Sequence, residues 1–245
     1  MNTMWKGEYT LRAVDFDKYG RLQPAAILGL FQDAAGQHSE ELGLGFDAML
    51  ERCYLWVLIR VRFDIFRPAK RYQKVIIKTW PLSPTRLSYR REYCMEDTDG
   101  NTLVSGSSEW VVMHSQKRRL LSVPDLYPFT EGFCKQVMFE GRLPKVPDFE
   151  ADTPSHTVSA GFSELDMNNH VNNTKYANFI MDAVAPAQED AVKSFQIDYR
   201  KEVLQGTKLH IHYLKDENGL LAKGLDDDGT NMFACSISFQ KQKAE

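Results

Sequence analysis

The chain has 245 residues, 43% hydrophobic and 26% charged, with a formal net charge of −3. That suits a soluble globular protein with a sizeable core, in one large or two small domains. It excludes overall basicity of the kind that binds nucleic acid. The first twenty residues hold no apolar targeting segment, no apolar run approaches a membrane span, and Cys53, Cys94, Cys134 and Cys235 show no C-x-x-C spacing. The expectation is a cytoplasmic protein with reduced thiols, no disulfide framework, no metal and no membrane contact.

In chain order, residues 8–14 alternate weakly and predict a short strand. Pro24 opens Ala25–Ala35, apolar on nearly every side, which predicts a helix buried all round. An irregular stretch, His38–Cys53, follows. Leu55–Phe66 places Val57, Ile59, Val61, Phe63 and Ile65 on one side and Arg60, Arg62 and Asp64 on the other. That is a period-2 strand. Lys74–Trp80, Leu87–Asp97 and Thr102–His114 predict three more, with Asp99-Gly100 as a hairpin signal. Residues 122–155 contain Pro124, Pro128, Pro144, Pro147 and Pro154 and predict a linker.

The second half repeats the order. Thr157–Phe162 is a predicted strand. Then come a polar loop and a helix through Val184, with Tyr176, Phe179, Ile180 and Ala183 at i, i+3, i+4 and i+7. Alternation around Phe195–Tyr199, Leu209–Tyr213, Leu220–Asp226 and Met232–Lys241 predicts four strands. An offset of 149 residues lays Asp17 on Asp166, and one of 134 lays Asp64 on Asp198. Each half therefore reads strand, helix, four strands, and such a sheet must curl around its helix to bury it. The expected division is 1–121, a linker at 122–155, and 156–245.

The loop before the second helix carries the chemistry. Asp166, Asn168 and His170 alternate, so an extended backbone would aim a carboxylate, an amide and an imidazole at one volume. Asn172 or Asn173 is a suitable N-cap, and helix N-terminal N–H groups favour an oxyanion. The plainer reading is a turn, because Asp and Asn commonly bond their own backbone. A calcium loop is excluded, since Val171 stands where glycine is required. A sequon at Asn172-Asn173-Thr174 would matter only after secretion. The first half carries Tyr19, Arg21 and Pro68 where the second has Asn168, His170 and Glu202. Were Asp166 and His170 only turn residues, similar ones would be expected in the first-half turn. This difference favours function for the second-half set. Glu202 ends a strand that can approach the helix N-terminus.

Asp166-x-Asn168-x-His170-Val171-Asn172-Asn173-x-Lys175-Tyr176 and Tyr199-Arg200-Lys201-Glu202 closely resemble the acyl-acyl-carrier-protein thioesterases. Leu55-Trp56-Val57, Thr79-Trp80, Trp110-Val111-Val112-Met113 and Arg118-Arg119-Leu120 extend the likeness over nearly the whole chain. The resemblance implies an α+β fold of two tandem hotdogs, each an antiparallel sheet around a central helix. It implies hydrolysis of fatty acyl thioesters on acyl carrier protein, with Asp166, Asn168, His170 and Glu202 as the site and no cofactor. Plant members carry a cysteine after the glutamate. Val203 stands there in this chain, which puts a cysteine mechanism in doubt.

Further expectations follow from that reading. Gly29, Leu30, Phe31 and Ala34 of the apolar first helix should shape an acyl pocket. Arg86, Arg90, Arg91, Lys117, Arg118 and Arg119 should receive the acidic carrier, against the plainer reading of a solvated strand face. The alternatives are an acyl-CoA thioesterase on the same fold, an acyl-binding module without turnover, and a hotdog dehydratase, which the Asn-rich loop fits poorly. Two fused hotdogs already form the usual pair, so a further homodimer stays open. Two chemical routes stay open as well: water activated by Glu202 and His170, or attack by Asp166 to form an anhydride, the latter slightly favoured.

Overall fold

The computed structural model describes residues 3–151, 153–217 and 219–241. The elements are β1 (Trp5–Thr10), α1 (Pro24–Glu41), α2 (Phe46–Glu51), β2 (Tyr54–Ile65), β3 (Lys74–Pro81), β4 (Tyr89–Asp97), β5 (Thr102–His114) and β6 (Leu120–Leu121). Then come β7 (His156–Ser159), α3 (Lys175–Val184), β8 (Asp190–Tyr199), β9 (Lys208–Asp216), β10 (Gly219–Leu225) and β11 (Asn231–Lys241). Single 3-10 turns at Ala13–Asp15 and Phe162–Glu164 precede the two polar loops.

Two compact units emerge. One comprises Met1–Ala13 and Leu28–Leu143; the other comprises Val14–Ile27 and Pro144–Glu245. Strand order in the first is β1-β3-β4-β5-β2, with β6 added to β5, and in the second β7-β9-β10-β11-β8. Every one of these pairings is antiparallel. The halves thus share one topology, and the architecture is the expected α+β tandem of hotdogs.

The duplication extends to single hydrogen bonds. Leu11 N–H donates to Gln73 O at 3.0 Å, and Tyr72 N–H to Leu11 O at 2.8 Å. In the second half Ala160 N–H donates to Thr207 O at 3.0 Å, and Gly206 N–H to Ala160 O at 2.8 Å. Tyr72 and Gly206 both hold positive φ, 63° and 81°.

Helix α1 departs from expectation. It runs on to Glu41, and Gln32, Asp33, Gly36 and Gln37 are exposed, so it is buried on one side only. Phe31 stacks on Tyr93 with ring centroids 4.6 Å apart. Tyr9 donates to Asp33 at 2.8 Å on the outer side. The supposedly irregular stretch therefore holds the end of α1 and all of α2. Met49 of α2 closes an aromatic cluster that includes Tyr89 and Tyr127, with Trp56, Trp110, Phe129 and Phe133 packed against it.

Residues 136–149 form an irregular strap held by side chains of the strands. In the first unit, Trp80 Nε1 donates to Gln136 O at 2.9 Å, and Glu92 accepts from Met138 N–H at 2.7 Å. Arg60 donates to Leu143 O at 2.9 Å. In the second unit, Gln196 donates to Pro144 O at 2.7 Å, Asp198 accepts from Val146 N–H at 3.0 Å, and Lys223 bonds Phe149 O. A strand side chain under the strap loses water and must find a partner. That is why Arg60, Glu92, Glu109, Gln196, Asp198 and Lys223 are buried.

Candidate active site

The polar loop is a turn built by Asp166. One carboxylate oxygen accepts from Asn168 N–H at 2.8 Å and from His170 N–H at 3.3 Å. Asp166 N–H donates to His170 O at 2.8 Å, and Asn169 N–H to Asp166 O at 3.1 Å. Asn169 is left at φ 61°.

The same turn recurs three times among the described residues. Asp17 takes Tyr19 and Arg21 N–H, both at 2.9 Å, and Gly20 sits at φ 76°. Asp97 takes Asp99 and Asn101 N–H at 3.0 and 2.8 Å, and Gly100 sits at φ 83°. Asp226 takes Asp228 and Thr230 N–H at 3.1 and 2.7 Å, and Gly229 sits at φ 75°. The hydrogen bonds of Asp166 are therefore those of an ordinary Asp turn, and the first-half turn does use the same residue. The contrast between the halves is left to Asn168, His170 and Glu202.

His170 and Glu202 do meet. Nε2 of His170 lies 3.3 Å from Oε2 of Glu202, and both side chains are partly exposed, 24% and 37%. The backbone brings them together: His170 bridges Leu204, and Val171 N–H donates to Val203 O at 2.8 Å. Asn168 is exposed on the same turn.

The helix start also differs from expectation. Thr174 is the N-cap residue of α3 and makes no side-chain cap bond. Asn172 Oδ1 accepts from Thr174 N–H at 3.0 Å and from its hydroxyl at 2.8 Å, and Lys175 N–H goes to Asn172 O at 2.9 Å. Those two amides are consumed by Asn172, so an oxyanion would have to use others.

Two tyrosines fix this frame. Tyr199 donates its hydroxyl to Asn173 O at 2.7 Å, which ties the loop to β8. Tyr176, the second residue of α3, packs edge-on against Tyr199 and Phe233 at 5.3 and 5.4 Å. Burial, with the Asp166 and Glu202 charges adding to it, pushes the Tyr176 hydroxyl above its usual range, while a backbone bond from Val203 opposes the rise. In the sequence Tyr176 serves as a helix marker and as the last residue of the family-like motif. Its place beside two carboxylates depends on how β8 crosses α3.

Both buried thiols are pushed up by desolvation, Cys94 to about 11 and Cys235 well above its ordinary value. With Val203 after Glu202, no cysteine stands in this motif. Among the described residues no group of His, Cys, Asp and Glu is arranged to hold a metal ion.

Two of the expected carrier-docking residues are not available. Arg91 is buried, 3.0 Å from His38 Nδ1 and 3.3 Å from Thr79 Oγ1. Arg90 is engaged by Glu92 at 2.5 Å, Ser107 at 2.9 Å and the carbonyls of Phe139 and Gly141. The strap covers the strand face that a sequence reading leaves open. Arg86, Lys117, Arg118 and Arg119 are exposed. Of the expected pocket residues, Phe31 and Ala34 are core, whereas Gly29 and Leu30 are half-buried. A Cβ at Gly29 would meet nothing within 4 Å.

Two family models match the sequence: the acyl-ACP thioesterase N-terminal domain over residues 2–128 and the acyl-ACP thioesterase C-terminal domain over residues 150–241. The chain belongs to the acyl-ACP thioesterase family. The second match contains all four residues of the expected site. A palmitoyl-acyl carrier protein thioesterase from Arabidopsis thaliana is 25% identical over 214 residues, 81% of this chain and 52% of its own length. An oleoyl-acyl carrier protein thioesterase of the same plant is 26% identical over 222 residues, 82% of this chain and 61% of its own. The chain thus spans about half to three-fifths of these chloroplastic relatives. Two solved structures share the fold nearly end to end. One is an acyl-ACP thioesterase from Bacteroides thetaiotaomicron, with TM-score 0.85, 21% identity and coverage of 97% and 98% of the two chains. The other is a 12:0-ACP thioesterase from Umbellularia californica, with TM-score 0.87, 19% identity and 99% of both chains covered. The turn and the His170–Glu202 pair lie within the part of the chain that the C-terminal family model matches.

Proposed function

We propose that the chain hydrolyses the thioester of a fatty acyl group carried on acyl carrier protein, releasing free fatty acid and the thiol-bearing carrier and so ending chain elongation. The observation that carries this reading is the 3.3 Å contact between His170 and Glu202, set within the matched C-terminal domain. A neutral imidazole that donates Nε2–H to Glu202 leaves that carboxylate to take a proton from water. The water oxygen then bonds to the acyl carbon, the C–S bond breaks, and the proton passes to the departing sulfur. Asn168 orients the acyl group or the water.

Asp166 holds the loop in this reading. Its turn is the one made by Asp17, Asp97 and Asp226, which supports direct attack by water over the acyl-anhydride route that the sequence alone slightly favoured. Gly29 and Leu30 contribute to the acyl pocket, and Arg86, Lys117, Arg118 and Arg119 steer the carrier electrostatically. No helix among the described residues is long and apolar enough to cross a membrane. All four cysteines are free, which supports a reducing compartment such as the cytoplasm.

The test is thiol release from acyl-carrier substrates of graded chain length, with matched acyl-CoA thioesters alongside. Turnover that exceeds the acyl-CoA rate, and collapses in His170→Ala, is the expected result. Binding without thiol release would sink it.

A further inference from the structure

The catalytic loop is ringed by apolar side chains that water reaches. Phe162 is 81% exposed, Met167 77% and Leu204 54%. Two of these backbones border His170, and Phe162 begins the 3-10 turn that leads into its loop. Leu165 N–H bonds Phe162 O at 3.2 Å, Met167 lies inside the Asp166 turn, and Leu204 bridges His170 directly. Single exposed apolar residues are common and need no explanation, but three around one reactive pair do.

The internal duplication supplies a control. The hydrogen bonds matched above place Ala13, Lys18 and Lys70 of the first half at the positions of Phe162, Met167 and Leu204. Where the reactive pair is absent, those sites are small or charged. The first half exposes other apolar side chains on its corresponding loops, Val14, Tyr19, Phe66 and Tyr72. At these three positions, then, an exposed apolar side chain occurs in the half that holds His170 and Glu202.

Resting on the thioesterase reading, we propose that Phe162, Met167 and Leu204 form the docking surface for the protein that delivers the thioester, an acidic acyl carrier. Two features select that occupant. The rim borders His170, where the carrier's pantetheine arm must deliver the acyl sulfur. Exposed cations also flank it, Lys201 just before Glu202 and Lys208 just after the Leu204 turn, while Arg200 is paired with Asp148 at 3.7 Å. The local carboxylates are engaged: Glu164 accepts from Gly161 N–H at 2.5 Å, Asp166 holds its turn, and Glu202 faces His170. An apolar centre with a basic border complements an acidic partner with an apolar contact face.

The test transplants the first half's residues as the triple variant Phe162→Ala, Met167→Lys, Leu204→Lys. Its kinetics are measured on an acyl carrier and on the same acyl group attached to free pantetheine. The expected result is an increase in KM of about tenfold or more for the carrier substrate, as for loss of central interface anchors. The acyl-pantetheine rate should be unchanged. Equal loss on both substrates would mean a disturbed site and overturn the proposal, as would no loss on either. Two further measurements on the parent protein name rival occupants. Flotation with anionic vesicles that the variant abolishes would assign the rim to a lipid surface. A concentration-dependent dimer that the variant abolishes would assign it to a second copy. Either outcome overturns the carrier assignment. If the parent cleaves acyl-pantetheine but not the acyl carrier, the carrier reading of the function fails, a result distinct from failure of the rim alone.

Discussion

Asp166 and Glu202 are the two carboxylates of the proposed site, and their surroundings suit them to different work. Asp166 spends an oxygen on two backbone N–H groups, whereas Glu202 faces His170. His170→Ala and Glu202→Gln should each lower kcat by roughly 10²–10⁴-fold, and the pair together little more than either alone. Circular dichroism should show both variants folded. Asp166→Asn keeps an oxygen acceptor for the turn and should stay within about tenfold of the parent, the scale of one altered hydrogen bond. Asp166→Ala should lose more. If Asp166→Asn is as dead as His170→Ala, or if hydroxylamine traps an acyl-enzyme, Asp166 attacks the substrate and the water route is wrong.

At the scale of elements, the Asp turn makes a quantitative comparison available within one chain. Among the described residues, three copies of the turn use glycine at the left-handed position, and the copy that carries His170 uses Asn169. Asn tolerates that backbone better than other residues with a side chain. Asn169→Gly should leave stability equal or higher, and Asn169→Ala should cost about 1–2 kcal/mol in urea unfolding. On β5, a Cβ at Gly106 would stand 2.3 Å from Phe31 Cε2. Phe31 is locked against Tyr93, so Gly106→Ala should overpack the core and cost about 1–3 kcal/mol. These details show how far the sequence was legible. Period-2 alternation located the long strands because one face of each meets a helix. Family motifs, not spacing, singled out Glu202, since proximity of a strand end to a loop is a tertiary fact. The length of α1 was missed because Gln37-His38-Ser39 interrupts its apolar run while remaining helical. Burial of Arg91 and Glu92 was not legible, because charged groups are buried only where partners arrive from distant strands and from the strap.

For the whole molecule, we propose that residues 1–121 and 156–245 are two copies of one ancestral unit joined by 122–155. Shared topology supports this, as do the paired hydrogen bonds at Leu11 and Ala160. Acid stability should report on ion pairs in the second copy. Lys241 and Lys215 lie 2.6 and 2.9 Å from Asp190 and hold its carboxyl below the usual range. A depressed folded value means that the contribution is present above the unfolded value, about 3.9, and fades as pH falls through the folded one. Asp190→Asn should therefore lower the thermal midpoint at pH 6 and converge with the parent at strongly acidic pH. A constant gap across that range would contradict this assignment.

The strap has a consequence for isotope exchange. Its amides belong to no helix or strand, and most should swap deuterium for protium quickly in a native-state pulse. Met138 and Val146 differ, because each gives its proton to a carboxylate beneath the strap, Glu92 and Asp198, and both acids are buried. Their release requires a charged acceptor to be left without its donor in a dry setting, so these two should open only with the sheet. Slow exchange at residues 138 and 146, amid fast neighbours, would mark an irregular segment that keeps time with the strands it crosses.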